Sequence, residues 1–315
     1  MTEGHDSPTA SPLVSVLITT YNRPAYLRKA VETVCAQTYD PIELVVVDDY
    51  SREPAAPLVD DVDTTALETV TCVRHDENQG ANAARNTGIE AAAGAYLAFL
   101  DDDDRWEPEK IQRQVDAVTR NDDAGVVYTG MRAVRDGDER VKTPPKIAGD
   151  MTKALLCRNV VGTLSAVMVR TELAEAVPLD ERFPSWADLE WYVRLSKQTE
   201  FERIAAPLVI YEFDSHNRLS DDFAKTRESY GLFLSAFDDL AAQYGRLFRR
   251  KMRGWAAFRA GTAAMRGDRY DVARRYLAMA VARYPFEPQF YSYLVASGGG
   301  PYTHKLASTT NRLLP

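Results

Sequence analysis

An apolar run that ends in four consecutive aspartates is the feature that most constrains this chain. Residues 95–100 read Ala-Tyr-Leu-Ala-Phe-Leu, and the four aspartates follow at 101–104. A short apolar run of this kind is typical of a strand buried on both faces of a sheet. Four adjacent carboxylates repel one another, and a divalent cation with hard oxygen ligands would remove the repulsion. The alternative is an acidic loop that only favours solubility, but Arg105 and Trp106 follow the aspartates directly.

The composition limits the class of protein. A chain of 315 residues with 45% hydrophobic residues can hold one large α/β domain and a smaller second region. The net charge of -8, without a basic block, argues against a nucleic-acid partner. Three widely spaced cysteines indicate neither a disulfide framework nor a cysteine zinc site. Since no apolar stretch approaches the roughly 20 residues of a membrane span and no signal segment is evident, we expect a cytoplasmic protein.

Strand and helix patterns alternate along the first part of the chain. The predicted strands are residues 13–19, 42–48, 69–75, 95–100 and 124–129, and the predicted helices are 24–37, 81–93 and 108–121. This alternation predicts an α/β fold with a doubly wound, mostly parallel sheet flanked by helices. From about residue 221 onward the pattern becomes purely helical. We therefore expect a flexible segment at 1–12, a main domain at 13–220 and a helical C-terminal region at 221–315.

Two predicted strands end in aspartates, at Asp48-Asp49 and at the acidic run. Parallel neighbouring strands would bring both clusters to one edge of the sheet, where open α/β folds bind ligands. One cluster could then hold a metal while the other bonds a nucleobase or a ribose hydroxyl. The alternative for Asp48 and Asp49 is turn and capping duty. A Gly-x-Gly-x-x-Gly run and a Gly-Lys-Ser/Thr loop are both missing, which weakens a dinucleotide-binding or P-loop interpretation.

Five motifs together resemble the signatures of the family 2 glycosyltransferases. They lie in order at residues 14–23, 46–51, 78–88, 99–104 and 186–195. The resemblance implies a GT-A fold and transfer of a sugar from a nucleotide-diphosphate donor, with Mg²⁺ or Mn²⁺ as cofactor. It also implies a glycan or polyprenyl-linked acceptor, in the assembly of cell-surface polysaccharide or glycoprotein glycans.

The resemblance implies roles for individual residues as well. Asp101 and Asp103 match the outer carboxylates of the Asp-x-Asp signature, with Asp103 as the direct metal ligand and Asp101 on ribose or a metal-bound water. His216 is expected either to complete the metal shell or to be an ordinary surface histidine. The residues expected at the donor are Thr20, Tyr21, Asn22, Arg23, Asp48, Asp49, Asn78, Arg85, Asn86, Asp101 and Asp102.

The late motif supplies the candidate catalytic base. The acceptor hydroxyl needs a carboxylate within hydrogen-bond reach to take its proton, because its own pKa lies far above neutrality. Asp188 matches the acidic position of this motif, and Glu190 is the second choice. The alternative is that Asp188 only stabilises a helix N-terminus. Attack opposite the leaving group would invert the anomeric centre.

Other interpretations stay open. A sugar nucleotidyltransferase would need a Gly-rich basic loop after the first strand, and residues 19–24 do not resemble one. A non-catalytic nucleotide-sugar-binding scaffold would be expected to lack part of the metal cluster or the base. Residues 131–149 are polar and charged, which predicts a mobile flap or a variable loop. Basic and aromatic residues at 248–255 raise the hypothesis of peripheral attachment to the inner face of the cell membrane, against the alternative of packing on the main domain.

Overall fold

The computed structural model of the chain describes residues 11–135, 138–212 and 222–299. The strands are β1 Val14–Thr20, β2 Ile42–Asp48, β3 Thr69–Arg74, β4 Tyr96–Asp101, β5 Asp104–Trp106, β6 Ala124–Arg135, β7 Asp138–Lys142, β8 Val167–Arg170 and β9 Glu200–Glu212. The helices are α1 Pro24–Cys35, α2 Ala56–Asp60, α3 Ala81–Ala91, α4 Lys110–Val118, α5 Thr152–Cys157, α6 Thr171–Ala176, α7 Ala187–Leu195, α8 Phe223–Gln243, α9 Arg246–Arg266, α10 Tyr270–Arg283 and α11 Pro288–Gly298.

The strands of the described residues form one mixed sheet in the order β3-β2-β1-β4-β8-β6-β9-β5, with β7 paired to β6. The first four strands in this order are parallel. Strand β8 is antiparallel to both of its neighbours, whereas β6 and β9 are parallel. The predicted α/β class is therefore confirmed, and the purely parallel part of the sheet is the half that carries the two aspartate clusters.

The register of these strands fixes where the aspartates lie. Thr20 pairs with Asp48 across β1 and β2, and Thr19 pairs with Asp101 across β1 and β4. Every residue of β2 is buried, as expected for a strand covered on both faces. The carboxyl ends of β1, β2 and β4 thus meet at one edge, so that residues far apart in the chain become neighbours.

Residues 131–149, predicted as a flap or loop, are in large part a β-hairpin. Strand β6 continues beyond the predicted end at 129, and Met131–Arg135 pair with the residues of β7. Met131 and Ala133 are buried while Arg132 between them is half-buried. The prediction missed this because a hairpin with one face exposed to solvent needs only every second residue to be apolar.

The described chain divides into two compact units, each with its own hydrophobic core. The first comprises the described residues up to Met151, Val161–Leu179, and those from Arg194 to 212, and its core packs around the sheet. The second comprises Thr152–Val160, Asp180–Val193 and the described residues from 222 onward, and its core packs around α9. Two short segments from within the predicted domain 13–220 thus group with the C-terminal helices. In the described part of the chain, none of the helices has the length and apolar composition that a membrane crossing requires.

Candidate functional site

Asp48, the last residue of β2, organises the loop that follows it. It is 2% exposed, and its carboxylate accepts hydrogen bonds from the backbone N–H groups of Ser51 (2.7 Å) and Ala55 (3.1 Å). Arg74, at the end of β3, forms an ion pair with the same carboxylate. Burial alone would raise the pKa of Asp48, but the bonds from Ser51 and Ala55 and the charge of Arg74 outweigh it and hold that pKa below its usual range.

Asp49 holds a second loop, the one that leads into α3. Its carboxylate bonds the Nδ1 atom of buried His75 at 2.8 Å and accepts the backbone N–H groups of Gln79 (2.8 Å) and Gly80 (2.9 Å). The Asn78 amide donates to the Asp49 carbonyl oxygen at 3.2 Å. Asp48 and Asp49 therefore both stabilise loops by accepting backbone hydrogen bonds, as the alternative interpretation expected. Their contact with a nucleotide stays a prediction.

The four aspartates at 101–104 alternate between two environments. The side chains of Asp101 and Asp103 are 28% and 21% exposed, whereas residues Asp102 and Asp104 are 5% and 1% exposed. Asp101 is the last residue of β4, Asp104 is the first residue of β5, and the two aspartates between them form the turn that joins these strands. The accessible pair is the pair that matches the outer positions of the Asp-x-Asp signature.

The charge of this run is partly compensated by arginines of the same unit. Arg23 donates to Asp102 Oδ1 and to Asp103 Oδ2, both at 3.0 Å. Arg85 donates to Asp101 Oδ1 at 2.8 Å. Two guanidinium groups therefore face four carboxylates, so the protein itself offsets part of the repulsion among the aspartates. The expectation of a metal ion at this cluster stays a prediction.

Hydroxyl groups complete the bonding of the cluster. Thr20 donates to Asp102 Oδ2 at 2.8 Å, and Ser165 donates to Asp104 at 2.5 Å. Thr163 donates to Asp101 Oδ2 at 3.2 Å. Burial raises the pKa of Asp102 to about 6, although Arg23 and the Thr20 hydrogen bond act in the opposite direction. Asp102 is thus a buried support for Arg23 and Thr20 in this structure.

The carboxylate oxygen atoms at this edge suit a hard divalent cation that a phosphorylated ligand also binds. Mg²⁺ is commonly bound through one or two carboxylates together with substrate phosphates, and Asp101 and Asp103 are two partly accessible carboxylates of the same run. No group of three or more His, Cys, Asp or Glu side chains that could hold a metal occurs among residues 11–135, 138–212 and 222–299. His216, the predicted further ligand, lies outside the described residues. The residues present therefore fit a cation that would be held jointly by these carboxylates and by the phosphate groups of the expected nucleotide-diphosphate donor.

The remaining predicted donor residues fall into two groups. Tyr21 is 48% exposed and follows β1 at the shared edge, and Asn22 has a left-handed φ of 57° with its N–H bonded to Ser51 Oγ at 2.9 Å. Asn86, by contrast, anchors another segment, because its amide bonds both the carbonyl oxygen (3.0 Å) and the N–H (2.9 Å) of Leu179. Donor contact by Asn86 stays a prediction, while its structural role is visible.

Asp188 lies in the first turn of α7 and belongs to the second unit. Its Oδ2 atom accepts a hydrogen bond from the Asn159 amide at 2.7 Å, and its Oδ1 atom accepts the N–H of Leu189, also at 2.7 Å. Glu190, the second choice for the base, is only 2% exposed. The two hydrogen bonds fix the orientation of the Asp188 carboxylate.

A half-buried arginine accompanies Asp188 in this unit. Arg259 packs its guanidinium 4.8 Å from the centre of the Trp186 ring and donates to the Cys157 carbonyl oxygen at 3.3 Å. Burial lowers the pKa of Arg259 to about 10, and the charge of Asp188 acts to raise it. Arg259 therefore contributes positive charge to the environment of the predicted base.

The sequence analysis missed several of these supporting residues. Arg74 is the last residue of β3 and His75 follows it at the same edge, so the rule that located Asp48 could have found them. Thr163 and Ser165 are more than sixty positions from their partners in the acidic run. Arg259 lies on α9, within a helical pattern that predicts packing alone. No spacing in the sequence indicates the contacts that Thr163, Ser165 and Arg259 make.

Solved structures with the same fold support the predicted GT-A architecture. S. aureus TarS 1–349 in complex with UDP-GlcNAc matches with a TM-score of 0.59 at 15% identity, covering 86% of this chain and 89% of that one. The mannosyltransferase PcManGT from Pyrobaculum calidifontis, in complex with GDP-Man and Mn²⁺, matches with a TM-score of 0.60 at 18% identity, covering 96% and 85%. At such low identity the likeness concerns the fold alone.

Sequence comparison identifies the family. An uncharacterized glycosyltransferase of Nostoc sp. is 32% identical over 185 residues, covering 56% of this chain and 56% of the relative. One from Haemophilus influenzae is 26% identical over 223 residues, covering 69% and 74%. The chain thus spans little more than half the length of the Nostoc relative. The sequence model described as "Glycosyl transferase family 2" matches residues 15–174, which is half of the chain. The chain belongs to glycosyl transferase family 2.

Proposed function

We propose that this chain transfers a sugar from a nucleoside-diphosphate donor to an acceptor hydroxyl. The observation that carries the proposal is the convergence, in a family 2 chain, of two arginines on an accessible Asp-x-Asp pair at the carboxyl edge of a parallel sheet. Open α/β folds bind ligands at this edge. UDP-GlcNAc and GDP-Man, the ligands in the complexes of the two solved neighbours, are nucleoside-diphosphate sugars.

Asp101 and Asp103 would hold Mg²⁺ or Mn²⁺ together with the donor's two phosphoryl groups. Such a cation stabilises the negative charge that develops on the nucleoside diphosphate as the glycosidic bond breaks. Arg23 and Arg85 hold the two carboxylates in place through the hydrogen bonds described above. Tyr21, which is exposed at the same edge, would contact the nucleotide.

Asp188 would act as the base that accepts the proton of the acceptor hydroxyl. Asn159 and the Leu189 N–H fix its two oxygen atoms, so the carboxylate needs little reorganisation at the moment of transfer. Burial makes Glu190 a weaker candidate, because a base must reach its substrate. A single displacement by the activated hydroxyl would invert the anomeric centre.

The acceptor is proposed from the family resemblance alone. A glycan or a polyprenyl-linked precursor fits an enzyme of cell-surface polysaccharide or glycoprotein glycan assembly. The cytoplasmic location stays the expectation stated in the sequence analysis, and attachment to the inner face of the membrane is a separate hypothesis. Product analysis with a mixed donor pool and membrane extract would identify both substrates.

Two substitutions separate donor binding from proton transfer. Asp103→Asn should remove transfer and also the rise in melting temperature that Mn²⁺ with a nucleoside diphosphate gives, because the cation loses a charged ligand. Asp188→Asn should lower the transfer rate by about 10²- to 10⁴-fold and leave the melting shift unchanged, since a base contributes only to the chemical step. The measurements are thermal melting with a panel of nucleoside diphosphates, and mass spectrometry of products.

Exposed aspartates of the same units serve as controls. Asp60→Asn on α2 and Asp239→Asn on α8 remove the same charge from accessible positions and should leave both readouts unchanged. Full transfer by Asp103→Asn would remove the proposed cation site. Full transfer by Asp188→Asn would remove that residue from the mechanism while leaving the donor site intact.

A further inference from the structure

We infer that the helical unit contains a second binding site, for a phosphate-type oxyanion, in a small cavity beside α5 and α9. The cavity measures about 90 Å³. It is too small for a nucleotide or another drug-sized ligand, since such pockets measure about 300 to 1,000 Å³. We name it the basic cavity. Its lining residues are Lys153, Ala154, Cys157, Arg158, Val160, Lys251, Trp255 and Glu287.

The lining of the basic cavity carries an excess of positive charge. Three cations, Lys153, Arg158 and Lys251, face one carboxylate, Glu287. Within the described part of the chain none of the three cations forms an ion pair. An anion bound in the cavity would supply the missing counter-charge.

Aromatic rings hold the three cations in place. Lys153 lies 4.9 Å from the centre of the Tyr244 ring, and Lys251 lies 5.8 Å from that of Tyr284. The Arg158 guanidinium lies 5.1 Å from the centre of the Trp255 ring. A cation on an aromatic face is positioned without a carboxylate, so its charge is not already neutralised by an acid. The basic cavity therefore combines cations that lie against aromatic rings with an excess of positive charge.

Trp255 provides an independent polar observation. The residue is 5% exposed, and its indole Nε1 atom is buried with no hydrogen-bond partner among the described residues. Buried polar groups of native proteins are nearly always paired, so an orphaned N–H beside a cavity indicates a partner that binds from outside the chain. An oxyanion presents acceptor atoms only and would suit this donor together with the neighbouring cations.

The thiol in the lining does not oppose an anion. Burial raises the pKa of Cys157 to about 11, although Lys251, Arg259 and Arg158 act to lower it. The thiol is therefore neutral at physiological pH, and Glu287 is the one acidic side chain in the lining.

Three other basic residues of α9 make hydrogen bonds within the protein. Arg249 and Arg253 both donate to Asp238, and Arg250 donates to the carbonyl oxygens of Ala282 and Arg283. Peripheral attachment through the segment 248–255 stays a hypothesis, since these hydrogen bonds engage only part of its basic residues. Lys251 stands apart from these arginines because it lines the basic cavity.

Inorganic phosphate is the first probe. At constant ionic strength, replacing chloride with phosphate should raise the melting temperature of the full chain in a saturable way, since a ligand of the native state stabilises it. The double variant Arg158→Gln with Lys251→Gln should bind phosphate at least about tenfold more weakly. The matched control, Arg275→Gln with Lys225→Gln, removes two cations of the same unit that do not line the cavity and should behave like the wild type.

A second arm distinguishes the source of the phosphate group. Cosedimentation with phosphatidylcholine vesicles, with and without phosphatidic acid, tests a lipid headgroup. Binding to phosphatidic acid that the double variant loses identifies a headgroup, whereas binding of free phosphate alone identifies a soluble ligand. Lys153→Gln, at an exposed position, provides a further variant that disturbs no buried contact.

The inference would be overturned if the wild type and the double variant bound phosphate and vesicles equally. It would also be overturned if phosphate had no effect on the melting temperature beyond that of chloride. The nucleotide-induced melting shift should survive in the double variant, which keeps this outcome separate from that of the proposed function.

Discussion

Lys110, the first residue of α4, is a fully buried cation in the first unit. Its ammonium lies 3.7 Å from the centre of the Trp106 ring and donates to Gln114 Oε1 at 2.7 Å. Gln114 in turn donates to the carbonyl oxygens of Val127 and Ala166, both at 3.1 Å. Burial lowers the pKa of Lys110 well below its usual value of 10.5. This side chain therefore couples the stability of the unit to pH.

The sign of this coupling gives the prediction at the residue scale. Between the lowered pKa of folded Lys110 and about 10.5, the unfolded chain binds a proton that the folded chain does not, so the free energy of unfolding rises with pH. Below this window the folded state carries the cost of a buried charge. The stability of the wild type relative to Lys110→Met should therefore increase as pH rises toward about 10.5. Urea denaturation at several pH values measures this difference in stability. The control, Lys29→Met at an exposed position, should differ from the wild type by the same amount at every pH. If the difference between the wild type and Lys110→Met were also independent of pH, the assignment would be contradicted.

At the scale of elements, glycine sets the close approach of α9 and α10. A Cβ atom on Gly261 would lie 2.8 Å from Leu277 Cγ and 3.3 Å from the Leu277 backbone nitrogen. The backbone contact limits how far Leu277 can yield. Gly231 on α8 is exposed, and a Cβ there would meet no atom within 4 Å. A side chain at Gly261 would therefore collide with a neighbouring helix, whereas one at Gly231 would not.

Gly261→Ala should destabilise the second unit by about 1–3 kcal/mol, because overpacking forces the two helices apart. Gly231→Ala should stabilise it by roughly 0.5–1 kcal/mol, because alanine costs less conformational entropy in a helix interior. Thermal and denaturant unfolding of both variants measures these changes. A stabilising Gly261→Ala would show that the helices tolerate a wider separation.

At the scale of the whole molecule, the two proposed ligands should act on different units. A nucleoside diphosphate with Mn²⁺ should slow amide hydrogen exchange at residues 20–23, 48–51 and 101–104, and phosphate should slow it at 153–160 and 251–255. The physical reason is that each unit has its own core and its own candidate site. Mass spectrometry of peptic fragments resolves these segments. Protection of the second set by the nucleotide in phosphate-free buffer would contradict the assignment of ligands to units.

The sequence predicted the framework of the fold well. The predicted bounds of β2 agree with the structure at both ends, and Pro24 begins α1 as expected. The prediction that Asp48 and the acidic run would meet at one edge follows from the parallel strand pairs and is confirmed by their register. These features could be predicted because burial periodicity and strand ends are local properties of the chain.

The contacts that give the candidate site its character could not be predicted. Arg23 and Asp102 are 79 positions apart, and Asn86 and Leu179 are 93 positions apart. The arginines that pair with the acidic run, the grouping of Asp188 with the helices and the basic cavity on α9 all belong to this class. By itself the sequence determined the family, the α/β class and the edge at which a ligand would bind, because motifs and periodicity are read along the chain. Only the tertiary structure decided which charges face each other, because electrostatic and hydrogen-bond partners depend on distances in space that no spacing in the chain encodes.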